Sequence, residues 1–94
     1  VAGQVSGLSR EVACRNFRRG CDLAMLNGWD PINPLEIVAA ESDNASSMEV
    51  LLPLLTRADC ILLLSGWEFS AGARIEYELA KYTRKKIFFE DAMN

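Results

Sequence analysis

The chain contains no histidine. That absence excludes Ser-His-Asp and Cys-His catalysis and most catalytic zinc sites, so any chemistry must rest on carboxylates, hydroxyls, lysine, tyrosine or the backbone. Cysteine is scarce: Cys14, Cys21 and Cys60 are an odd set with no CxxC pair, which suggests neither a disulfide framework nor a zinc site. Cys14 and Cys21 fall on one helix face and Cys60 opens an apolar run, so all three read as small buried apolar residues of a reducing, cytoplasmic protein. Positive charge is in deficit, with 10 Lys plus Arg against 13 Asp plus Glu, which argues against a nucleic-acid polymer as partner. Arg15, Arg18 and Arg19 do cluster, and read as a solvated helix face. No apolar run approaches the roughly 20 residues that span a bilayer, so no membrane partner is expected. No signal peptide is legible. The chain opens on Val1 instead of Met, which reads as processing or trimming that shortens a first strand.

Half of the 94 residues are apolar, enough for one compact domain over residues 1–94. Val1 and Ala2 read as the end of a strand that enters a loop at residues 3–7. Ser9 is a plausible N-cap, followed by Ala13, Cys14, Phe17, Cys21, Ala24 and Met25 at helical spacing and a stop at Asn27-Gly28. Residues 29–33 form a candidate short strand, which Pro31 confines to an edge. Residues 34–44 read as a loop. Ser46 to Glu49 spells a capping box before a helix that Pro53 should kink or restart. Residues 60–64 are a continuous apolar run, the pattern of a strand covered on both faces. Ser70 opens a helix reaching about Arg84, and residues 86–90 ("KIFFE") read as the last strand. Strands that alternate with helices predict an α/β domain built on a parallel sheet.

In such folds ligands bind at the carboxyl ends of the strands, which selects residues 3–7, 33–34 and 65–70. Glu76 is the candidate nucleophile or general base. Its helix neighbours Gly72, Ala73, Leu79 and Ala80 offer no ion pair and leave room around it, whereas Glu78 lies between Arg74 and Lys81 and reads as a solvated residue. Ser70 is an N-cap by type. Together with Gly72 and the free amides of the helix start, it also makes an anion site. Trp67 either packs over the sheet edge or stacks on a flat ligand. Gly3 and Gly7 serve a tight turn or a phosphate loop, and Asn33 ends a strand or borders a ligand. Tyr77 and Tyr82 read as core or interface.

Three blocks then stand in order: "VAGQVSGL", "GWDPINP" and "ADCILLLSGWEFSAGARIEYELA". Together they resemble the nucleoside 2-deoxyribosyltransferase-like superfamily, most closely a small, largely uncharacterised bacterial and phage branch. That branch reads "AGP-(I/M/V)-TG", "G-x-x-V-x-NP" and "aD-x-I-x-x-L-x-GW-x-x-S-x-GA-x-x-E-x-x-x-A". The resemblance implies a flavodoxin-like, Rossmann-like three-layer sandwich around a parallel sheet of about four to five strands. It implies N-glycosidic cleavage of nucleosides or nucleotides through a glutamate nucleophile, here Glu76, with no metal and no cofactor. It places Gly3, Gln4, Gly7, Asn33, Ser65, Gly66, Trp67, Ser70 and Gly72 around the substrate, and implies a homodimer. Transferase members carry aspartates where this chain has Ser65 and Ser70. The 2′-deoxynucleoside 5′-monophosphate hydrolase branch has a serine six residues before its glutamate, as Ser70 is here, which favours a 5′-phosphorylated substrate. Gln4 replaces the usual proline of the first block. For the acid that protonates the departing base, Glu68 is the nearest candidate and Asp59 sits at the opposite end of its strand. The rival readings are a non-catalytic module that senses or sequesters a nucleotide, and an interaction protein with a vestigial pocket.

Overall fold

The computed structural model describes residues 1–5, 7–37 and 44–93. The first helix, α1 (Arg10–Leu26), forms where the apolar spacing predicts it: Ala13, Phe17, Gly20, Cys21 and Ala24 are its buried face. Ser9 caps it, its Oγ accepting the Val12 N–H at 3.1 Å. The helix stops at Asn27, whose side chain donates back to the Leu23 carbonyl, and Gly28 follows with φ of 79°. Gly20 is required by a close approach. A Cβ there would lie 2.5 Å from Leu64 Cδ2 and 3.0 Å from Val1 Cγ1, so α1 can settle onto the strand layer only without a side chain at this point.

After a short helix, α2 (Pro34–Ile37), the chain continues through α3 (Asn44–Arg57), β1 (Cys60–Leu63), a 3-10 turn at Trp67–Phe69, α4 (Ala71–Tyr82), β2 (Lys86–Phe89) and a closing turn of helix, α5 (Glu90–Met93). The strands β1 and β2 pair in parallel, Cys60 opposite Lys86 and Leu63 opposite Phe89. On the other side of β1 only Ala2 joins it, through an isolated bridge: its N–H donates to the Leu62 carbonyl and its carbonyl accepts the Leu64 N–H, both at 2.8 Å. The core gathers around β1, with Ala2, Leu55, Ile61, Leu63, Ala73 and Ala80 in one buried cluster and Trp67, Tyr77 and Ile87 packed against it. Helix α4 lies on both strands and on α3. Among the described residues no helix is long and apolar enough to cross a membrane.

The expected fold is corrected. The described residues form a mostly helical domain around a two-stranded parallel sheet, not a flavodoxin-like sandwich around four to five strands. Residues 29–33 make no ladder because their backbone is committed elsewhere or lacks a donor. The Trp29 N–H closes onto the Ala24 carbonyl of α1, and Pro31 has no N–H to give. Four smaller expectations change too. Residues 34–37 of the expected loop are helical, while Ser6 and residues 38–43 of the two expected loops lie outside the described residues. Helix α3 starts at Asn44, so Ser46 sits inside its first turn and does not cap it. Pro53 lies inside the same helix, which continues to Arg57 on both sides of it. Glu90 opens α5 and does not end the last strand.

Candidate functional site

Ser70 starts α4 as an N-cap, its Oγ accepting the Ala73 N–H at 3.1 Å. From that start, Ala73, Glu76 and Ala80 form the buried face of the helix. The two alanines are nearly inaccessible, and their small size lets α4 lie close on the sheet, which carries the Glu76 carboxyl inward with them. Glu76 is only 9% exposed. Among the described residues no hydrogen bond or ion pair reaches its carboxyl group. Burial pushes its pKa up to about 7, while the positive charge of the Val1 amino group pulls the other way.

The carboxyl lines a cavity of about 580 Å³, a size within the roughly 300–1,000 Å³ of small-molecule sites. One wall is apolar, from Leu51, Leu54 and Leu55 of α3; Trp29 of the irregular segment lines it as well. Beside Glu76, the charged groups that line it are Asp30, Arg57 and Asp59, together with Val1, whose amino group acts on Glu76. A carboxyl group balanced near neutrality in such a place can hold or release a proton. When ionised, it can attack an electrophilic carbon.

None of the other expected site residues lines this cavity. Asn33 borders a separate hollow of about 360 Å³ between α1 and α2, and its Oδ1 accepts the Leu35 N–H at 3.0 Å, the local turn that starts α2. Gly3 lies under Leu64, whose Cδ1 would be 2.9 Å from an added Cβ. Gln4 does bring the two expected loops together: an added Cβ on Gly7 would lie 3.4 Å from its Nε2, and one on Gly66 3.8 Å from its Oε1. Gly66 begins the 3-10 turn in the left-handed region with φ of 86°, where glycine is favoured. The room beside Gly72 is taken by the Met48 methyl, 3.3 Å from where a Cβ would be. Trp67 takes the packing alternative, its ring 4.8 Å from Tyr77 and 6.0 Å from Phe89. Glu78 is a surface residue, 3.6 Å from Lys81.

Two further residues matter most. Asp59 stands at the amino end of β1, the end expected for it, and the Glu76 cavity lies there, so Asp59 lines it, whereas Glu68 lies exposed in the 3-10 turn and does not. Glu90 is 3% exposed and bridges three elements. Its carboxylate accepts Arg19 Nε at 2.6 Å, Arg19 Nη2 at 2.9 Å and the Ser65 N–H at 3.0 Å. The Arg19 hydrogen bonds hold its pKa below the usual carboxylate range, with Ser65 adding to the effect. Arg19 is therefore not only part of a solvated face, and the Ser65 amide is already engaged. Cys21 is buried, with Cys14 and Cys60 partly so; burial raises the pKa of the Cys21 and Cys60 thiols. Among the described residues no group of His, Cys, Asp or Glu is placed to hold a metal ion.

One family model matches residues 1–89, that of a domain of unknown function, DUF4406. The chain belongs to this family. No curated protein matches it, and no solved structure does.

Proposed function

We propose that this chain cleaves the N-glycosidic bond of a nucleotide or nucleoside, with Glu76 as the nucleophile. The observation that supports the reading is a buried carboxyl group, free of hydrogen-bond and ion-pair partners among the described residues, on the wall of a ligand-sized cavity. The three sequence blocks that resemble the nucleoside 2-deoxyribosyltransferase-like superfamily supply the reaction class. In the first step the Glu76 carboxylate bonds to the anomeric carbon and the carbon–nitrogen bond breaks. Its electron pair leaves on the base nitrogen, which takes up a proton. Water or a second base then displaces the glutamate and restores the carboxylate. A small-molecule nucleotide or nucleoside is the partner this reading carries, and a homodimer in the cytoplasm its setting.

A second reading, a module that binds a nucleotide without cleaving it, is favoured by one observation. The residues expected to hold phosphate or sugar, Ser70, Gly72 and the loop glycines Gly3 and Gly7, do not line the cavity that contains Glu76. One experiment separates the two. The parent chain and a Glu76→Gln variant are incubated with deoxy- and ribonucleosides and their 5′-monophosphates. Base release is followed by chromatography, and thermal stabilisation is recorded on the same samples. The glycosidase reading expects release by the parent alone. Stabilisation without release supports the binding module. The absence of both signals defeats the two readings together.

A further inference from the structure

We propose that the cavity beside Glu76 takes an uncharged, amino-bearing aromatic heterocycle, the base of an adenosine- or cytidine-type nucleoside, with its ring stacked on Trp29. The inference deepens the glycosidase reading by naming the substrate class, and rests on it in one respect: the sugar carbon must face Glu76.

Trp29 is the aromatic group available to a guest. Its ring packs against Phe88 at 4.6 Å between centroids, tilted by 44°, and still lines the cavity. Trp67, the other tryptophan, is spent on Tyr77 and Phe89 and lines no part of it. The α3 leucines supply a second apolar wall, so a flat ring finds apolar contact on its faces. A wholly apolar guest does not suit the site, because it would seal Glu76 away from water without a hydrogen-bond partner. The guest therefore has apolar faces and a polar edge.

Charge narrows the class further. Three carboxyl groups, Glu76, Asp30 and Asp59, line the cavity against the Arg57 guanidinium and the Val1 amino group, whose pKa burial lowers. That balance opposes a phosphate and favours an edge that donates. Adenine and cytosine present an amino group to such carboxyls. Uracil presents a single N3–H between two carbonyl oxygens, which face like partial charge.

The chain has two tryptophans, so a Trp67→Phe variant reports on Trp29 alone, and phenylalanine keeps a ring against Tyr77. The variant is titrated with adenosine, cytidine, uridine and adenosine 5′-monophosphate while its fluorescence is read, and base release is assayed in the same tubes. The expected result is a change in Trp29 emission with adenosine and cytidine, half-complete at concentrations at least ~10-fold below those for uridine and the monophosphate. If the variant does not fold, the two indole N–H resonances of the parent chain give the same readout. No response from Trp29, a response that favours the monophosphate, or equal response to uridine overturns the proposal. Emission change without base release leaves this proposal standing and removes the glycosidase. Base release without emission change does the reverse.

Discussion

Two glutamates are buried in this domain, and their surroundings are opposite. Glu90 has a guanidinium on two sides and a backbone N–H on a third, and its pKa is held low. Glu76 faces a cavity and has no hydrogen-bond or ion-pair partner among the described residues, and its pKa is raised to about 7. Removing a carboxyl from water is costly in both places. At Glu90 the cost is offset by charge-assisted bonds that join α1, α5 and the loop after β1, which makes it an architectural residue. At Glu76 only the positive charge of the Val1 amino group offsets part of it. Perturbed, unsatisfied carboxyls in clefts concentrate where chemistry is done, and on that ground the proposed reaction is assigned to Glu76 and an architectural role to Glu90.

The largest expected effect tests that division directly. Glu76→Gln lowers base release by at least ~10³-fold, as expected for a removed nucleophile, while the fold persists because an amide of the same shape fits the same space. Glu90→Gln, assayed beside it, leaves the rate per folded molecule unchanged. If Glu90→Gln abolishes release while Glu76→Gln does not, the assignment is inverted.

The second effect is on the pH dependence of stability, where the two residues pull in opposite directions. The folded pKa of Glu76 is raised from 4.5 to about 7, so its contribution is fully present below 4.5 and lost as the pH climbs through 7, a change of ~3 kcal/mol. The folded pKa of Glu90 is lowered, so its contribution is present above the ordinary carboxylate range and lost as the pH falls through the lowered value. Urea midpoints measured from about pH 2 to 8.5 check both signs. Glu76→Gln flattens the alkaline limb, and Glu90→Gln flattens the acid limb. On the activity side, attack requires the ionised carboxyl, so kcat/KM falls as the pH drops below 7.

A smaller effect concerns the clamp alone. Glu90→Ala leaves the Ser65 N–H without its acceptor and the Arg19 guanidinium with Asn16 and water alone, and costs only about 2 kcal/mol by urea denaturation, because Arg19 is half exposed and water replaces part of the loss. Arg19→Met, which removes the cation while Ser65 still donates, costs less than Glu90→Ala. An equal or greater cost would mean that the guanidinium, and not the carboxylate, organises the junction.

What was legible in the residues was local. Helix α1, the caps at Ser9 and Ser70 and the buried run of β1 all follow from spacings of a few residues, which is the range over which periodicity and capping act. The unpaired state of Glu76 was legible for the same reason, from neighbours three and four positions away. The clamp was not, because Arg19 and Glu90 are 71 residues apart and nothing near "KIFFE" announces a partner. The expected strand at residues 29–33 does not form, because the Trp29 N–H closes onto α1 and Pro31 has no N–H to give to a neighbouring strand. The cavity depends on how α3 and that irregular segment meet, so Trp29 and Asp59 could be placed beside Glu76 only in three dimensions.

The smallest effect asks whether the start of α4 belongs to the Glu76 site at all. The Ser70 Oγ is engaged by the Ala73 N–H, so Ser70→Ala costs ~1 kcal/mol through the lost cap. Ser70→Asp restores that stability, since aspartate accepts the same bond and its charge favours the helix N-terminus. If Ser70 acts only as a cap, both variants cleave substrate with unchanged KM, because it does not line the cavity that contains Glu76. If it also holds a 5′-phosphate, Ser70→Asp raises KM for monophosphates by placing like charges together, and leaves KM for free nucleosides alone. Stability tracks the cap in both cases, so only the difference between the two substrates reads the binding role. A selective rise would join the two ends of α4 into one site and remove the distinction between its structural start and its reactive middle.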